Sequence, residues 1–187
     1  VEDQDLYIGK IDQILKKHLT ENSFELWMAI RENISNKCWE KPTSSSGKYH
    51  RKEDQNGRVP SVVEHTYELI YAADKIISMF EGNLNKDVVF LSLALHDAYK
   101  YGLVKTCNST ESKHDKIIAD IIKNNQKTFS QALNENDVSI LEEAVRRHMG
   151  KWGTDAPKDF SYEKYSPLVL FLSTLDMMSC KNLIKVL

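Results

Sequence analysis

Cysteine is scarce in this chain of 187 residues. The three present, Cys38, Cys107 and Cys180, are odd in number and far apart, so they build neither a disulfide framework nor a paired-cysteine metal knuckle. Each reads as a small apolar residue, and the setting they imply is reducing and cytoplasmic. Long apolar runs are also missing: no stretch approaches the roughly 18 residues of a membrane span. The acidic start, Val1-Glu2-Asp3-Gln4-Asp5, is unlike a secretory signal. Neither sign of charge dominates. A net charge of -2 and a pI near 6.3 give no global basic field, which excludes holding long duplex nucleic acid by counterion release alone. No period-two alternation marks a strand, and no internal repeat or heptad run occurs. The expectation is one all-α domain over 1–187.

About seven helices can be placed. Leu6, Ile8, Ile11, Ile14, Leu15 and Leu19 recur at helical spacing over 6–18, with His18 read as a surface residue beside Lys16 and Lys17. Thr20-Glu21-Asn22-Ser23 offers caps for a second helix. Residues 40–59 form a loop by composition, with Lys48, Tyr49, His50, Arg51, Lys52 and Arg58 making it basic. It is either a solvated linker or a mobile arm beside a phosphate site. Pro60 suits the first position of a long helix, which Gly82-Asn83 ends. Asn85-Lys86-Asp87 opens a helix over 87–97 that is apolar until His96. Such a helix belongs at the centre of a core, and its polar end must be paired or bound to something. Thr110-Glu111-Ser112 begins the next, with His114 in its first turn and Asn124-Asn125-Gln126 at its end. Asn136-Asp137 caps another that runs to Arg146-Arg147-His148 and breaks at Gly150. Pro167 starts the last, in which Asp176 is the one charge between Lys164 and Lys181.

His65, His96, Asp97, His114, His148 and Asp176 are the candidate metal ligands. All-helical domains build metal sites from inward side chains of facing helices. Imidazole and carboxylate without thiolate favour Fe, Mn, Zn, Co or Mg. Adjacent His96 and Asp97 suit a two-metal site, the histidine serving one ion and the carboxylate bridging both. Ions so held would clamp a phosphate and deprotonate the water between them. Lys100 is placed to meet a phosphoryl oxygen or the negative side of the site, and otherwise reads as a solvent lysine. Arg146, Arg147 and Lys151 flank His148 and could bind substrate phosphate.

The order His65, His96-Asp97, His114, His148, Asp176 resembles that of the HD superfamily of metal-dependent phosphohydrolases, and Leu95-His96-Asp97-Ala98-Tyr99-Lys100 resembles its LHDxxK core. The detailed likeness is to the HD domain of YhaM-type 3′–5′ exoribonucleases. Arg58-Val59-Pro60-Ser61-Val62-Val63-Glu64-His65-Thr66 stands for the GGLLEHT-like segment, Arg147-His148-Met149-Gly150-Lys151-Trp152-Gly153 for the HHGxxxWG-like segment, and Leu172-Ser173-Thr174-Leu175-Asp176 for the start of the final helix motif. The chain departs from the pattern at Val59, Pro60 and Arg147, and no nucleic-acid-binding barrel is expected ahead of the motifs. The likeness covers 48–182 and leaves 1–40 as an N-terminal helical extension.

The resemblance implies a helical HD bundle with two divalent ions. His65, His96, Asp97 and Asp176 would hold one ion, and Asp97 would bridge to a second on His114 and His148. A metal-bridging hydroxide would attack phosphorus, with Asp97 and Lys100 as the catalytic residues and His50, Arg58, Arg147 and Lys151 toward substrate. The departures favour a small phosphorylated substrate, such as a nucleotide or short oligonucleotide, over processive RNA degradation, in a stand-alone enzyme of the bacterial or phage sort. Three alternatives remain: a one-metal nucleotidase or nucleoside-triphosphate hydrolase, a diiron oxygenase of HD-like fold, and a non-catalytic nucleotide-binding module. The oligomeric state, a homo-oligomer included, is left open.

Overall fold

The computed structural model describes residues 4–34, 36–44, 58–80, 84–103, 109–156 and 161–186. Among them lie nine α-helices and no strand: α1 (Gln4–His18), α2 (Glu21–Asn33), α3 (Asn36–Glu40), α4 (Val62–Ile76), α5 (Lys86–Leu95), α6 (His114–Asn124), α7 (Gln126–Phe129), α8 (Glu135–Arg147) and α9 (Pro167–Cys180). The expected seven are the long ones; α3 and α7, of five and four residues, are additions. His50, the basic stretch around it, Cys107 and Gly82-Asn83 lie outside the described residues.

Helix α5 is the axis. Every residue from Asp87 to Leu95 is buried, as its unbroken apolar sequence requires. Helices α1, α2, α4, α8 and α9 all pack on it. Asn85 caps it, accepting from the Asp87 amide. The Asp87 carboxylate in turn takes both the amide and the hydroxyl of Thr20, at 2.7 and 2.8 Å, and so ties the start of α2 to the core.

Two boundaries differ from expectation. Pro60 is not the first residue of α4: Ser61 caps that helix in a reciprocal box with Glu64, and a side-chain acceptor outweighs the fixed φ of proline as a start signal. Helix α8 begins two residues early, because Asn134 rather than Asn136 accepts from the Asp137 amide. Pro167 does open α9, behind a Ser166 cap. That helix closes with Asn182 at a φ of 57° and the amides of Asn182 and Leu183 bonded back to Ser179 and Met178, a Schellman end.

His18 departs from the surface reading. Its ring is 2.7 Å from Asp74 Oδ1, its side chain is 8% exposed, and it stacks on Phe90 with centroids 4.2 Å apart. The residue is last in α1, a helix that packs on α4 and α5. No helix among the described residues is long and apolar enough to cross a membrane.

Candidate metal centre

Helix ends place most of the ligands. His65 lies in the first turn of α4, His114 is the first residue of α6, and His96 and His148 cap the C-termini of α5 and α8. Asp97 follows in the turn after α5, which Gly102 ends at a φ of 75°. Asp176 comes from the middle of α9. The Glu111 amide bonds to the Lys100 carbonyl at 2.7 Å, which draws the start of α6, and with it His114, to Asp97.

All six sequence-derived ligands meet in one place. Asp97 is 1% exposed and the four imidazoles 2% or less. Asp97 Oδ2 lies 3.7 Å from Nε2 of both His65 and His96. Its other oxygen, Oδ1, lies 3.0 Å from His114 Nε2 and 3.6 Å from His148 Nε2. Asp176 Oδ1 is 3.1 Å from His65 Nε2. One carboxylate therefore stands between two pairs of imidazoles, and His65, His96 and Asp97 on one side and Asp97, His114 and His148 on the other are buried groups that can each hold a metal ion.

The outward nitrogens are tied. His96, His114 and His148 donate Nδ1–H to the carbonyls of Leu93, Glu111 and Val145 at 2.7–2.8 Å. A carbonyl only accepts, so each ring keeps its Nε2 lone pair for the centre, the arrangement that orients metal-binding histidines. Burial, outweighing the attraction of Asp97, pushes the His96 pKa down to about 3, and the ring is neutral at pH 7. His96 Nε2 and His65 Nε2 are 3.2 Å apart, close enough to need a proton or a cation between them. His114 Nε2, although 3.0 Å from Asp97 Oδ1, is off the line of a hydrogen bond and is buried without a hydrogen-bond partner. An orphaned buried lone pair is expensive, and a cation on it removes the cost. The donor set fits divalent ions.

Lys100 supplies a positive charge beside Asp97. Its Nζ lies 3.0 and 2.8 Å from the two oxygens of Asp97. Burial opposes the charge on both partners, but each outweighs it for the other: the Asp97 pKa falls well below the usual carboxylate range and that of Lys100 rises. Burial likewise opposes a charged Asp176, yet the hydrogen bond and charge of His65 hold its pKa low. The side chains of Asp176 and Lys100, 17% and 11% exposed, are the most open members of the cluster.

The remaining candidates are held by other partners. Arg58 makes a two-pronged pair with Glu64, at 3.1 and 2.7 Å. Arg147 lies over the Tyr165 ring and 3.5 Å from Glu143. Lys151 lies over the Trp152 ring. Arg146 bonds Glu142, Asp120 and Asp155 and braces α6 against α8.

Several supporting residues escaped the sequence reading. Ser173 Oγ donates to the His148 carbonyl at 2.8 Å. Asp115 takes the amide and hydroxyl of Thr154, at 2.8 and 2.6 Å, and fixes the loop that follows His148. Ser179 and Glu68 stand behind His65. These last two lie three residues after Asp176 and His65, on the same helix faces, a spacing that could have singled them out; Asp115 carries no such signal. A separate shallow cleft of about 290 Å³, between α2 and the segment around α7, shares no residue with the centre.

No protein-family model matches the chain, and no curated protein or solved structure is significantly similar to it.

Proposed function

We propose that this chain is a divalent-metal phosphohydrolase of the HD type, acting in the cytoplasm on a small phosphorylated substrate such as a nucleotide or short oligonucleotide. The observation that carries the proposal is the division of Asp97, with Oδ2 toward His65 and His96 and Oδ1 toward His114 and His148. A structural one-ion site has no use for a carboxylate facing two sets of ligands. A two-ion site does, and the motif order resembles that of HD phosphohydrolases in the same six residues.

Divalent ions in such a site supply Lewis-acid activation of water for attack on phosphorus. The chain's own residues do the rest. The carbonyl-bound Nδ1 atoms hold three imidazoles in register. Lys100, beside Asp97 and near the open side, is placed to balance charge growing on non-bridging phosphoryl oxygens. Asp176 and Lys100 mark the side by which a substrate reaches the centre, and their low exposure supports a small one.

Mass-spectrometric metal analysis, on protein purified without chelator, should find about two transition ions per chain, as a carboxylate-bridged site requires. Protein loaded with Mn²⁺ should hydrolyse phosphate esters among mononucleotides, cyclic nucleotides and short RNA. Asp97→Ala should lose turnover and both ions. Turnover retained in that variant after its metal content is verified would overturn the scheme. Oxygen consumption without phosphate release would select a diiron oxygenase, and nucleotide binding without turnover a binding module.

A further inference from the structure

Three of the four imidazoles bond to backbone carbonyls, which accept and never donate. His65 is different. Its Nδ1 lies 2.9 Å from a hydroxyl, Ser179 Oγ. A hydroxyl can donate or accept, so Ser179 by itself leaves the His65 tautomer open. The next link decides it. Ser179 Oγ donates to Glu68 Oε2 at 2.7 Å. The hydroxyl has one proton, and with that proton on Glu68 it can only accept from His65. Nδ1 then carries an imidazole hydrogen, and Nε2 is the atom that faces Asp176 and His96, where an ion would take the place of the proton shared with them.

Glu68 is 5% exposed, a costly position for a carboxylate unless its hydrogen bond matters. It follows His65 by three residues on α4, as Ser179 follows Asp176 by three on α9. Each helix thus provides one ligand and one link of the relay behind it, and the relay joins the two helices where their ligands meet. We propose that Glu68 is a positioning residue, one that sets the tautomer of His65 through Ser179 and thereby makes His65 Nε2 a metal-binding atom. The inference rests on the metal-centre reading for its purpose, but the tautomer itself can be read without metal.

The test is Glu68→Leu, which removes the acceptor and frees the Ser179 hydroxyl proton to turn toward His65 Nδ1. The ring then keeps its hydrogen on Nε2 alone, where it faces the centre and blocks coordination. Imidazole ¹⁵N spectra of the metal-free protein should show a hydrogen on His65 Nδ1 in the native chain and none there in Glu68→Leu, with His96, His114 and His148 unchanged as internal controls. Mn²⁺ titration should show one of the two sites weakened about 10- to 100-fold, the scale found when an orienting partner of a ligand is lost. Ser179→Thr, which keeps the hydroxyl, should retain the native behaviour. If Glu68→Leu fails to fold, Ser179→Ala carries the test and should leave His65 Nδ1 only partly protonated. A His65 that stays fully protonated on Nδ1 in Glu68→Leu or Ser179→Ala would overturn the relay. A tautomer that moves as expected in a chain binding no metal would uphold the relay and sink the metal-centre reading alone.

Discussion

Lys100 and Asp97 are the two charges nearest the heart of the centre, and they hold one another. Both oxygens of Asp97 are within 3.0 Å of the ammonium, and both side chains are nearly closed to solvent. Removing one partner of such a pair leaves the other charge buried without compensation. Lys100→Met, of similar length and no charge, should lower the stability of the metal-free protein by about 3 kcal/mol. A divalent ion on Asp97 replaces the lost positive charge, so Mn²⁺ should recover most of that stability while phosphate-ester turnover stays depressed. Urea unfolding with and without Mn²⁺ checks the first part. A variant as stable as the native chain without metal would mean that Lys100 is not the counter-charge of Asp97. At this scale the sequence was readable where chemistry is concentrated: six candidate ligands of only two residue types, in a telling order, lie together in the fold. The same reading was silent on Glu68 and Ser179, because an orienting residue is an ordinary glutamate or serine until its distance to a ligand is known.

Helix ends do most of the positioning, and they were the less legible features. The periodicity that reveals a helix says little about its last turn, where caps compete. Ser61 prevailed over Pro60 because its oxygen meets an amide that would otherwise lack a partner, and Glu64 closes the box with 2.8 and 3.0 Å bonds to the Ser61 amide and hydroxyl. Burial would raise the Glu64 pKa, but Arg58 and Ser61 together hold it below the ordinary value. His65 directly follows, so the cap that starts α4 also aims a ligand. Ser61→Ala should cost about 1 kcal/mol, seen as a fall of roughly 2–4 °C in Tm for a chain of this size. Loosening of that first turn should also weaken metal binding on the His65 side more than on the His148 side. A variant that loses the stability but binds both ions as before would show that Asp176 and the relay, not the cap, fix the position of His65.

Over the whole molecule, the N-terminal segment, read as a helical extension, packs into the same hydrophobic core as the helices that follow. Ile11, Leu15, Trp27 and Trp39 are buried, α1 packs along α4 and against α5, and the two tryptophans meet edge to face. The amphipathic spacing of α1 was visible in the sequence; what it packs against was not, since periodicity names a face and not its partner. The polar seam of this packing is Asp74. Its Oδ1 receives Lys17 Nζ at 2.6 Å and the His18 ring nitrogen at 2.7 Å, and its other oxygen lies 3.4 Å from Lys75 Nζ. Burial works to raise the Asp74 pKa, but the hydrogen bonds from Lys17 and His18 outweigh it and bring the value down to about 2. An unfolded aspartate titrates near 3.9, so between these values the unfolded chain binds the proton more readily. The contribution of Asp74 is therefore complete above the unfolded value and is lost as pH falls through about 2. Screening at this seam limits it to roughly 1 kcal/mol. Urea unfolding of the native chain and of Asp74→Asn should differ by that amount at pH 5 and converge as pH approaches 2. A difference that stays constant over the range would mean that α1 is held by Ile11, Leu15 and the His18–Phe90 stack, with the charge of Asp74 contributing nothing.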